Sequence, residues 1–285
     1  MTIRKTKAAR AAAPMFNRLA NIRWKVQLFF LILLNPLWIQ EWRINRAAGV
    51  CLPILNCHGC PAAAAYCPIG VIGDMLNLGL FPWLAIGMFG VVGILLGRLT
   101  CGWACPFGFL QDLLAKIPLP KFNPPRWTHL LKYAVLVGMV FIVPILIGTE
   151  TNWFFCRICP EATLKANGWL LIADGRAISV LRLSFFGGFL LLMLFVERGF
   201  CRLICPIGAG LALFNKISFL SIKFKKRWCS ECMQCVRQCP ISRGPMTDPR
   251  DPECIYCMDC FKCTGLKMNF SDDRKSVLSG KTGQR

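Results

Sequence analysis

Apolar residues are gathered into four long runs that polar segments separate. The runs occupy residues 26–39, 76–96, 130–147 and 177–196. A membrane-spanning helix needs about 20 predominantly apolar residues, a length that the second run reaches and the others approach. The first run contains Asn35-Pro36 and can begin near residue 22, and the fourth is interrupted by Arg182. The pattern predicts an α-helical membrane protein with four transmembrane helices.

The charges between the runs predict an orientation. Residues 1–25 hold seven Lys or Arg and no acid, and no small-residue cleavage site follows the first run, so we expect a retained anchor. Segment 98–132 has five basic residues against one acidic, whereas segments 40–75 and 149–176 are balanced. The positive-inside rule then predicts a multi-pass protein of a bacterial-type cytoplasmic membrane with both termini cytoplasmic.

Composition narrows the class of protein. The 285 residues are 55% hydrophobic and carry a formal net charge of +20, with the basic residues between the apolar runs. This arrangement favours a lipid bilayer as partner and argues against nucleic acid. The chain has 18 cysteines but only two histidines. Because secreted disulfide scaffolds are short and lack membrane-length runs, the cysteines indicate thiolate-bound iron.

Two segments repeat each other at an offset of 100 residues. Residues 97–117 and 197–217 share eight identical positions, among them both cysteines, the Pro and Gly that follow, and the terminal Lys-Ile. Upstream, Cys57-x-x-Cys60-Pro has a counterpart in Cys156-x-x-Cys159-Pro. A duplicated two-helix unit with a pseudo-two-fold axis along the membrane normal explains both repeats.

The region after the repeats has the cysteine spacing of a two-cluster ferredoxin. In such domains the cysteine before proline ligates the other cluster. We therefore expect one [4Fe–4S] cluster on Cys229, Cys232, Cys235 and Cys263, and a second on Cys254, Cys257, Cys260 and Cys239. The second run departs from the usual pattern, since two residues precede its last cysteine and Thr264 replaces the expected proline. Structural zinc is the alternative.

These landmarks divide the chain into a predicted set of domains. The set comprises a basic N-terminus (1–25), a four-helix membrane domain (26–220) with halves of about 26–120 and 121–220, a small C-terminal two-cluster ferredoxin-like α+β domain (221–270) and a basic tail (271–285).

Two shorter motifs follow apolar runs on the predicted cytoplasmic side. They are Cys101-x-x-x-Cys105-Pro and Cys201-x-x-x-Cys205-Pro. Two cysteines alone rarely hold a cubane, but two pairs brought together by the repeat axis supply the four thiolates of one [4Fe–4S] site. The alternative is that they are structural cysteines buried at helix turns.

The opposite face has six cysteines and two competing arrangements. In the first, Cys51, Cys57, Cys60 and Cys67 hold a cluster within one loop, which leaves Cys156 and Cys159 as a pair. In the second, Cys57 and Cys60 join Cys156 and Cys159 across the pseudo-axis. Disulfides are the alternative on an oxidising face. We expect at least one cluster here, so the membrane domain would hold one or two.

Clusters on both faces raise a problem of distance. The hydrocarbon core is about 30 Å thick, which is long for one electron-transfer step. Either the cysteine loops dip into the membrane between helices, or a bound quinone or partner cofactor bridges the path. Irregular backbone is tolerated at that depth only where protein covers it. The Gly- and Pro-rich segment 101–108 is a candidate for such a turn.

The motifs resemble those of the membrane polyferredoxins. The resemblance rests on CGWACPFG, CRLICPIG, LNCHGCPAAAAYCPIG, FCRICP and the terminal ferredoxin run. The family includes the quinol-dehydrogenase membrane component of the periplasmic nitrate reductase system and the methylamine-utilisation ferredoxin. It implies four transmembrane helices, cytoplasmic ferredoxin clusters, and electron exchange between the quinone pool and redox partners. The additional outer cysteines are similar to those of a subgroup described only as 4Fe–4S binding proteins.

Two functions are compatible with these features. The first is an electron-transfer subunit of a quinone-linked oxidoreductase complex, with iron–sulfur, cytochrome or catalytic subunits as partners. The second is an assembly or regulatory polyferredoxin that serves metal delivery or maturation of a respiratory enzyme. The sequence has no nucleophile triad, P-loop or dinucleotide fingerprint, and we assign no catalytic residue. Candidates for handling quinone protons are His58, Asp74, His129 and Glu150.

Overall fold

The structure is a computed structural model that describes residues 22–35, 51–60, 63, 65–168, 179–224, 233–241, 250–262 and 266–269. Most of these residues are helical. The helices up to residue 220 are α1 (22–34), α2 (Pro68–Asn77), α3 (Trp83–Leu96), α4 (Leu99–Trp103), α5 (Pro106–Leu114), α6 (Trp127–Leu146), α7 (Phe155–Ile158), α8 (Pro160–Ala162), α9 (Val180–Phe195), α10 (Gly199–Leu203) and α11 (Pro206–Asn215).

Among the described residues, α6 is the one helix that is long and apolar enough to cross a membrane. It has 20 residues with a mean hydropathy of 2.1, and the protein buries only 22% of its most apolar window. Its middle, Leu136–Ile142, is π-helical. Pro144 follows in the last turn and has no N–H to donate to the preceding turn, which explains why the hydrogen bonding is irregular there.

The other apolar runs form shorter helices than the hydropathy pattern suggests. The run 76–96 is interrupted: α2 ends at Asn77, Gly79 has a φ of 70°, and α3 begins only at Trp83. Glycine tolerates this left-handed conformation, and Pro82 then precedes the new helix. The run 177–196 becomes α9, of 16 residues. The run 26–39 begins earlier, with α1 at residue 22, and residues 36–39 lie outside the described residues.

Helices α3, α6 and α9 expose large apolar side chains. Leu84 is 67% exposed, Leu146 75% and Val180 82%. Apolar surface of this extent on several helices is unusual for a protein surrounded by water. It is the surface expected of helices that face lipid.

The C-terminal part is closed by a two-stranded antiparallel sheet. Strand β1 (Ser221–Phe224) pairs with β2 (Leu266–Asn269), with Ser221 opposite Asn269. Between them the structure describes α12 (Gln234–Arg237) and a 3-10 turn (Asp259–Lys262). The two strands bring together the beginning and the end of the cysteine-rich segment.

The main core of the protein contains cysteines from all three regions. Cys67, Cys105, Cys205 and Cys257 belong to one contiguous buried cluster, together with Leu55, Phe155 and Phe200 among others. The cysteine-bearing turns of the three regions are therefore connected through one buried core.

Candidate functional site

Four cysteines stand at the start of a helix, directly before a proline. Cys67, Cys105, Cys159 and Cys205 are the N-cap residues of α2, α5, α8 and α11. Proline suits the first helical position because a helix leaves that N–H unpaired. The Cys-Pro motif is therefore a helix-start signal, and it places the sulfur at the positive end of the helix.

The free amides of these helix starts donate hydrogen bonds to sulfur. The Gly208 nitrogen lies 3.4 Å from Cys205 Sγ, and the Gly108 amide donates to Cys105 in the same way. Amides at the starts of α2 and α8 donate to the N-cap sulfur of those helices. Such bonds stabilise a thiolate and are typical of the sulfur environment in iron–sulfur proteins.

The cysteines of the two Cys-x-x-x-Cys-Pro motifs come together. We call this the axial site, and it consists of Cys101, Cys105, Cys201 and Cys205, each 5% or 6% exposed. Burial, and then the thiols of Cys201 and Cys101, raise the pKa of Cys105. Burial and the other three thiols likewise raise the pKa of Cys205. The structure thus places the four cysteines of the predicted set side by side.

Two buried arginines cross between the repeats at the axial site. Arg98 Nη2 lies 3.3 Å from the carbonyl oxygen of Cys201, and Arg198 Nη1 lies 3.1 Å from that of Cys101. Both arginine side chains are 1% exposed. They occupy equivalent positions of the repeat, so each repeat donates the same contact to the other. Since guanidinium groups stay protonated, two positive charges accompany the four thiols.

Each arginine is paired with a carboxylate. Arg198 Nε lies 2.8 Å from Asp112 Oδ1, and Arg98 Nη1 lies 2.7 Å from Glu253 Oε2. Lys132 also contacts Glu253. Burial alone would raise the pKa of Glu253, but Arg98 and Lys132 lower it to about 2. Glu253 therefore stays ionised and joins the C-terminal part to the first repeat and to α6.

Polar atoms at the axial site fit an additional group. Gln111 Nε2 donates to Cys201 Sγ at 3.0 Å. Arg98 Nε and Thr100 Oγ1 are buried and have no hydrogen-bond partner within the described part of the chain. Buried donors are normally paired. Four thiols, amide donors, two guanidinium charges and unpaired donors together suit a negatively charged cluster with sulfide acceptors.

A second set of four cysteines lines a small cavity. We call it the outer cavity, and it is lined by Cys57, Cys67, Cys156, Cys159, Leu55, His58, Phe155, Glu161 and Ala162. This set differs from both arrangements considered from the sequence. It takes two cysteines from each loop, as the second did, but with Cys67 in place of Cys60. Cys51 and Cys60 are buried but do not belong to the lining.

The thiols of the outer cavity are hard to ionise without a cation. Burial, followed by the neighbouring Cys57 thiol and Glu161, raises the pKa of Cys67 to about 12. Burial, with smaller contributions from Glu161 and Cys60, raises the pKa of Cys57 to about 11. A thiolate at these positions needs a positive partner, and bound iron is one that deprotonates thiols outright.

The C-terminal region brings together the cysteines of the second predicted ferredoxin set. Burial, and then the thiols of Cys254, Cys239 and Cys235, raise the pKa of Cys260. Burial raises the pKa of Cys257, to which Cys239 also contributes. Of the first predicted set the structure describes Cys235 alone. The remaining members, Cys229, Cys232 and Cys263, lie outside the described residues.

The C-terminal region packs directly on the axial site. A side-chain carbon at Gly102 would lie 2.3 Å from the backbone oxygen of Ile255, so this contact requires glycine. Trp103 Nε1 donates to the backbone carbonyl oxygen of Tyr256 at 2.9 Å. Arg23 of α1 lies 2.8 Å from Asp259 Oδ2 on the same side. The Cys-x-x-x-Cys turn of the first repeat is thus the docking surface for the second ferredoxin motif.

Within the part of the chain that the structure describes, no three His, Cys, Asp or Glu side chains converge on a position for a single ion. Structural zinc needs four ligands around one point. A cubane instead distributes its ligands over four irons, so its thiols surround a volume. Each described cysteine is also a free thiol.

The candidates for proton handling separate into two places. His58 Nε2 lies 3.2 Å from Asp74 Oδ2. Both residues and Glu150 line an open cleft beside the outer cavity. His129 lies elsewhere, with Nδ1 3.2 Å from the Arg202 backbone oxygen.

Sequence reasoning missed the charged residues of the axial site. Arg98 and Arg198 were visible as one of the eight identical positions of the repeats, but motif reading selected only the cysteines, Pro and Gly. Asp112 and Glu253 carry no such signal, because neither has a counterpart in the repeat. Their roles follow only from the contacts that the fold creates.

The fold and its cysteine sites define a cysteine-ligated iron–sulfur protein. The family described as 4Fe-4S binding domain matches residues 79–125 and 178–229. An uncharacterized protein of Methanocaldococcus jannaschii is 33% identical over 192 residues, which cover 64% of this chain and 75% of that protein. No solved structure matches the chain.

Two further relatives share a smaller part of their length. YccM of Escherichia coli is provisionally named an electron transport protein. It is 26% identical over 216 residues, which cover 67% of this chain and 55% of YccM. The regulatory protein NosR of Stutzerimonas stutzeri is 30% identical over 61% of this chain, but only 24% of NosR is covered. The chain belongs to the membrane polyferredoxin family. It is a 4Fe–4S protein of electron transport.

Proposed function

We propose that this protein is a membrane electron-transfer subunit that passes electrons singly between the quinone pool and a partner oxidoreductase. The observation that carries the proposal is the contiguous core in which cysteines of the membrane-domain turns and of the C-terminal region pack together. A bound 4Fe–4S cluster supplies one-electron transfer without making or breaking bonds to the substrate. The residues described above hold such groups close together and keep water away from them.

We assign three cluster sites to this relay. Two are the ferredoxin sets, Cys229, Cys232, Cys235 with Cys263, and Cys254, Cys257, Cys260 with Cys239. The third is the axial site. Its support is the matched geometry of the two repeats, in which each half contributes two thiols, a helix-start amide and a guanidinium that crosses to the other half.

The membrane topology of the proposal has four spans. We place them at α1, α3, α6 and α9, with the N-terminus, the axial site and the C-terminal domain at the cytoplasmic face. The apolar exposure of α3, α6 and α9 supports this placement. The ion pair of Arg23 with Asp259 supports a common side for the N-terminal end of α1 and the C-terminal region. Helices of 14 and 16 residues span about 21–24 Å, so the bilayer or flanking residues must adapt at α3 and α9.

The quinone link completes the electron balance. Oxidation of one quinol to quinone releases two electrons and two protons, and the two electrons must leave through one-electron carriers. His58 with Asp74, in the cleft beside the outer cavity, is the pair best placed to accept a proton. The partner is defined only as an oxidoreductase that accepts these electrons.

The experiment that tests this function uses the full chain, purified anaerobically in detergent. Addition of a short-chain quinol should bleach the visible iron–sulfur absorption and produce the electron paramagnetic resonance (EPR) signal of reduced clusters. Dithionite gives the complete reduction for reference. If dithionite reduces the clusters and neither ubiquinol nor menaquinol analogues do so, the quinone link is wrong.

A regulatory or assembly role is the second candidate, because NosR is named a regulatory protein. The two functions differ in association. A respiratory subunit should co-purify in fixed ratio with a catalytic partner, and its deletion should abolish electron flow even when the partner is supplied fully matured. A maturation factor should be dispensable once the partner has been assembled.

A further inference from the structure

We propose that the outer cavity is the site of a further [4Fe–4S] cluster ligated by Cys57, Cys67, Cys156 and Cys159. Leu55 lies between this site and the axial site. The inference rests on the proposed function only for the chemical class of the bound group. It adds a fourth cluster site and selects its ligands, which neither the sequence motifs nor the three-site relay specify.

The first support is that the outer cavity repeats the sulfur environment of the axial site. Cys67 and Cys159 are N-cap residues before a proline, as Cys105 and Cys205 are. Amides of the following helix donate to Cys67 and to Cys159. The Gly59 amide donates to Cys57. The outer cavity therefore combines four buried thiols with several N–H donors toward sulfur, as the axial site does.

The second support is that the remaining outer cysteines, although buried like the others, do not line the cavity. Cys51 forms a backbone bridge with Tyr66 and packs in the main core. Cys60 packs in a small cluster with Cys57 and Ala63. Neither belongs to the lining. The four cavity cysteines are therefore the ligands, and the other two are structural.

The third support is the short separation of the two sites. The backbone amide of Leu55 donates a hydrogen bond to Cys105 of the axial site, while Leu55 also lines the outer cavity. A second connection runs through aromatic rings. Phe155 lines the cavity, and its ring centroid lies 6.4 Å from that of Phe200, the residue before Cys201. The outer loop therefore dips toward the axial site, so electrons need not cross the full hydrocarbon core in one step.

The fourth support is an opening to the outside. Cys57 and Cys156 line both the outer cavity and an adjoining open cleft of about 270 Å³. His58, Asp74 and Arg157 line the cleft as well. A group in the cavity would thus lie at the floor of a polar cleft, where a redox partner or a quinol can approach it.

The test measures iron and acid-labile sulfide per chain after anaerobic purification of the full protein. Four cluster sites predict about sixteen of each in the wild type. The double variant Cys67→Ser, Cys156→Ser removes one ligand from each loop and should lose about four of each. It should also lose one EPR signal while the others persist. The matched controls Cys51→Ser and Cys60→Ser change buried outer cysteines outside the cavity, and they should keep the wild-type content.

A second measurement on the wild type guards against a variant that fails to fold. Cysteines are alkylated in the native reduced protein before and after the clusters are removed with ferricyanide and a chelator, and the labelled positions are read by mass spectrometry. Cys57, Cys67, Cys156 and Cys159 should be protected before removal and labelled after it, in parallel. Cys51 should show no such change.

Three outcomes overturn the proposal. The first is a wild type with about twelve irons, in which these thiols are labelled at once or joined as disulfides. The second is loss of four irons in Cys60→Ser with none lost in the Cys67, Cys156 double variant. The third is parallel labelling of Cys51 with the other outer cysteines. A wild type with no more than eight irons would contradict the axial site as well, and so separates failure of the proposed function from failure of this inference.

Discussion

The axial site and the outer cavity are both built from four cysteines, yet they differ in symmetry and in charge. The axial site takes the same two positions from each repeat and adds Arg98 and Arg198, each crossing to the other half. The outer cavity takes cysteines at unequal spacing, Cys57 with Cys67 from one loop and Cys156 with Cys159 from the other. Its nearest buried charge is Glu161, which Lys165 neutralises at 2.6 Å.

The axial site and the outer cavity are therefore assembled from the sequence in different ways. Each repeated turn carries the same half-site, which is two cysteines and an arginine that contacts the other repeat. At the outer cavity the equivalence is only that both loops present a Cys-Pro helix start. The charges also differ in consequence, because Arg98 and Lys132 against Glu253 leave one net positive charge beside the axial site, which favours the reduced, more negative form of a cluster. Beside the outer cavity, in contrast, the charges of Glu161 and Lys165 cancel. We expect the axial cluster to have the higher reduction potential of the two.

The largest effect is expected from removal of the axial ligands. The double variant Cys105→Ser, Cys205→Ser should lose about four irons and stop electron transfer from quinol to the C-terminal clusters, because it removes one ligand from each half-site. Iron analysis and quinol-dependent cluster reduction check this. Full quinol reduction of the C-terminal clusters in this variant would show that the axial site lies outside the path.

Loss of one crossing arginine should destabilise the protein strongly. Arg198→Met leaves the Asp112 carboxylate, whose side chain is only 16% exposed, with Arg23 as its remaining ion-pair partner. Breaking such a buried pair costs about 3–5 kcal/mol. Thermal loss of cluster absorbance in detergent should therefore occur at a much lower temperature than in the wild type.

The matched control for that variant is Arg182→Met. Arg182 lies in α9 and is half-buried, and its guanidinium donates a hydrogen bond to Asn167. Substitutions away from buried charge networks usually change stability by about 0.5 kcal/mol or less. Equal losses in the two variants would contradict a special role for Arg198.

An added methyl group at the docking surface should loosen the C-terminal region. Gly102→Ala places a carbon 2.3 Å from the Ile255 oxygen, so the backbone must separate there. Gly90→Ala is the matched control, since nothing lies within 4 Å of its added carbon. We expect faster hydrogen exchange over 250–262 in the first variant alone, with unchanged iron content. Equal exchange in both would mean that the contact does not hold the domain.

Removal of a hydrogen bond to sulfur should shift a potential without removing a cluster. Gln111→Leu deletes the 3.0 Å contact to Cys201 Sγ. Hydrogen bonds to ligand sulfur stabilise the reduced state, so the potential of the axial cluster should fall. A redox titration followed by EPR measures the shift at constant iron content. Asn35 bonds to the Leu31 backbone oxygen and to Lys165 instead, and Asn35→Leu should leave the axial potential nearly unchanged.

The smallest effect is expected from moderate acid. Because the pKa of Glu253 is lowered to about 2, its stabilising contribution is complete above the ordinary carboxyl pKa and is lost only as pH falls toward 2. Docking of the C-terminal region, followed by hydrogen exchange corrected for intrinsic rates, should not change between roughly pH 5 and pH 7. A transition within that range would show that another group controls docking.

Some structural features can be predicted from particular residues of the sequence. Cys-Pro favours a helix start because proline fits the first helical turn, and four of the five described Cys-Pro pairs begin a helix, whereas Cys239-Pro240 begins a turn. The offset of 100 residues predicted that Cys101, Cys105, Cys201 and Cys205 form one group, and the structure brings them together. The span expected at 76–96 shows the limit of hydropathy: Gly79 and Pro82 divide it, although both lie within an apolar run.

By itself the sequence determined the chemistry of this protein: thiolate ligands in repeated half-sites, ferredoxin spacing and apolar helices, all of which depend on residue type and local spacing. Only the tertiary structure decided which outer cysteines share a cavity, which carboxylate pairs with each arginine, and that Leu55 touches both sites. Those contacts join residues far apart in the chain, from Leu55 to Cys105 and from Arg98 to Glu253. Their formation depends on how the two repeats and the C-terminal region pack, which no local pattern encodes.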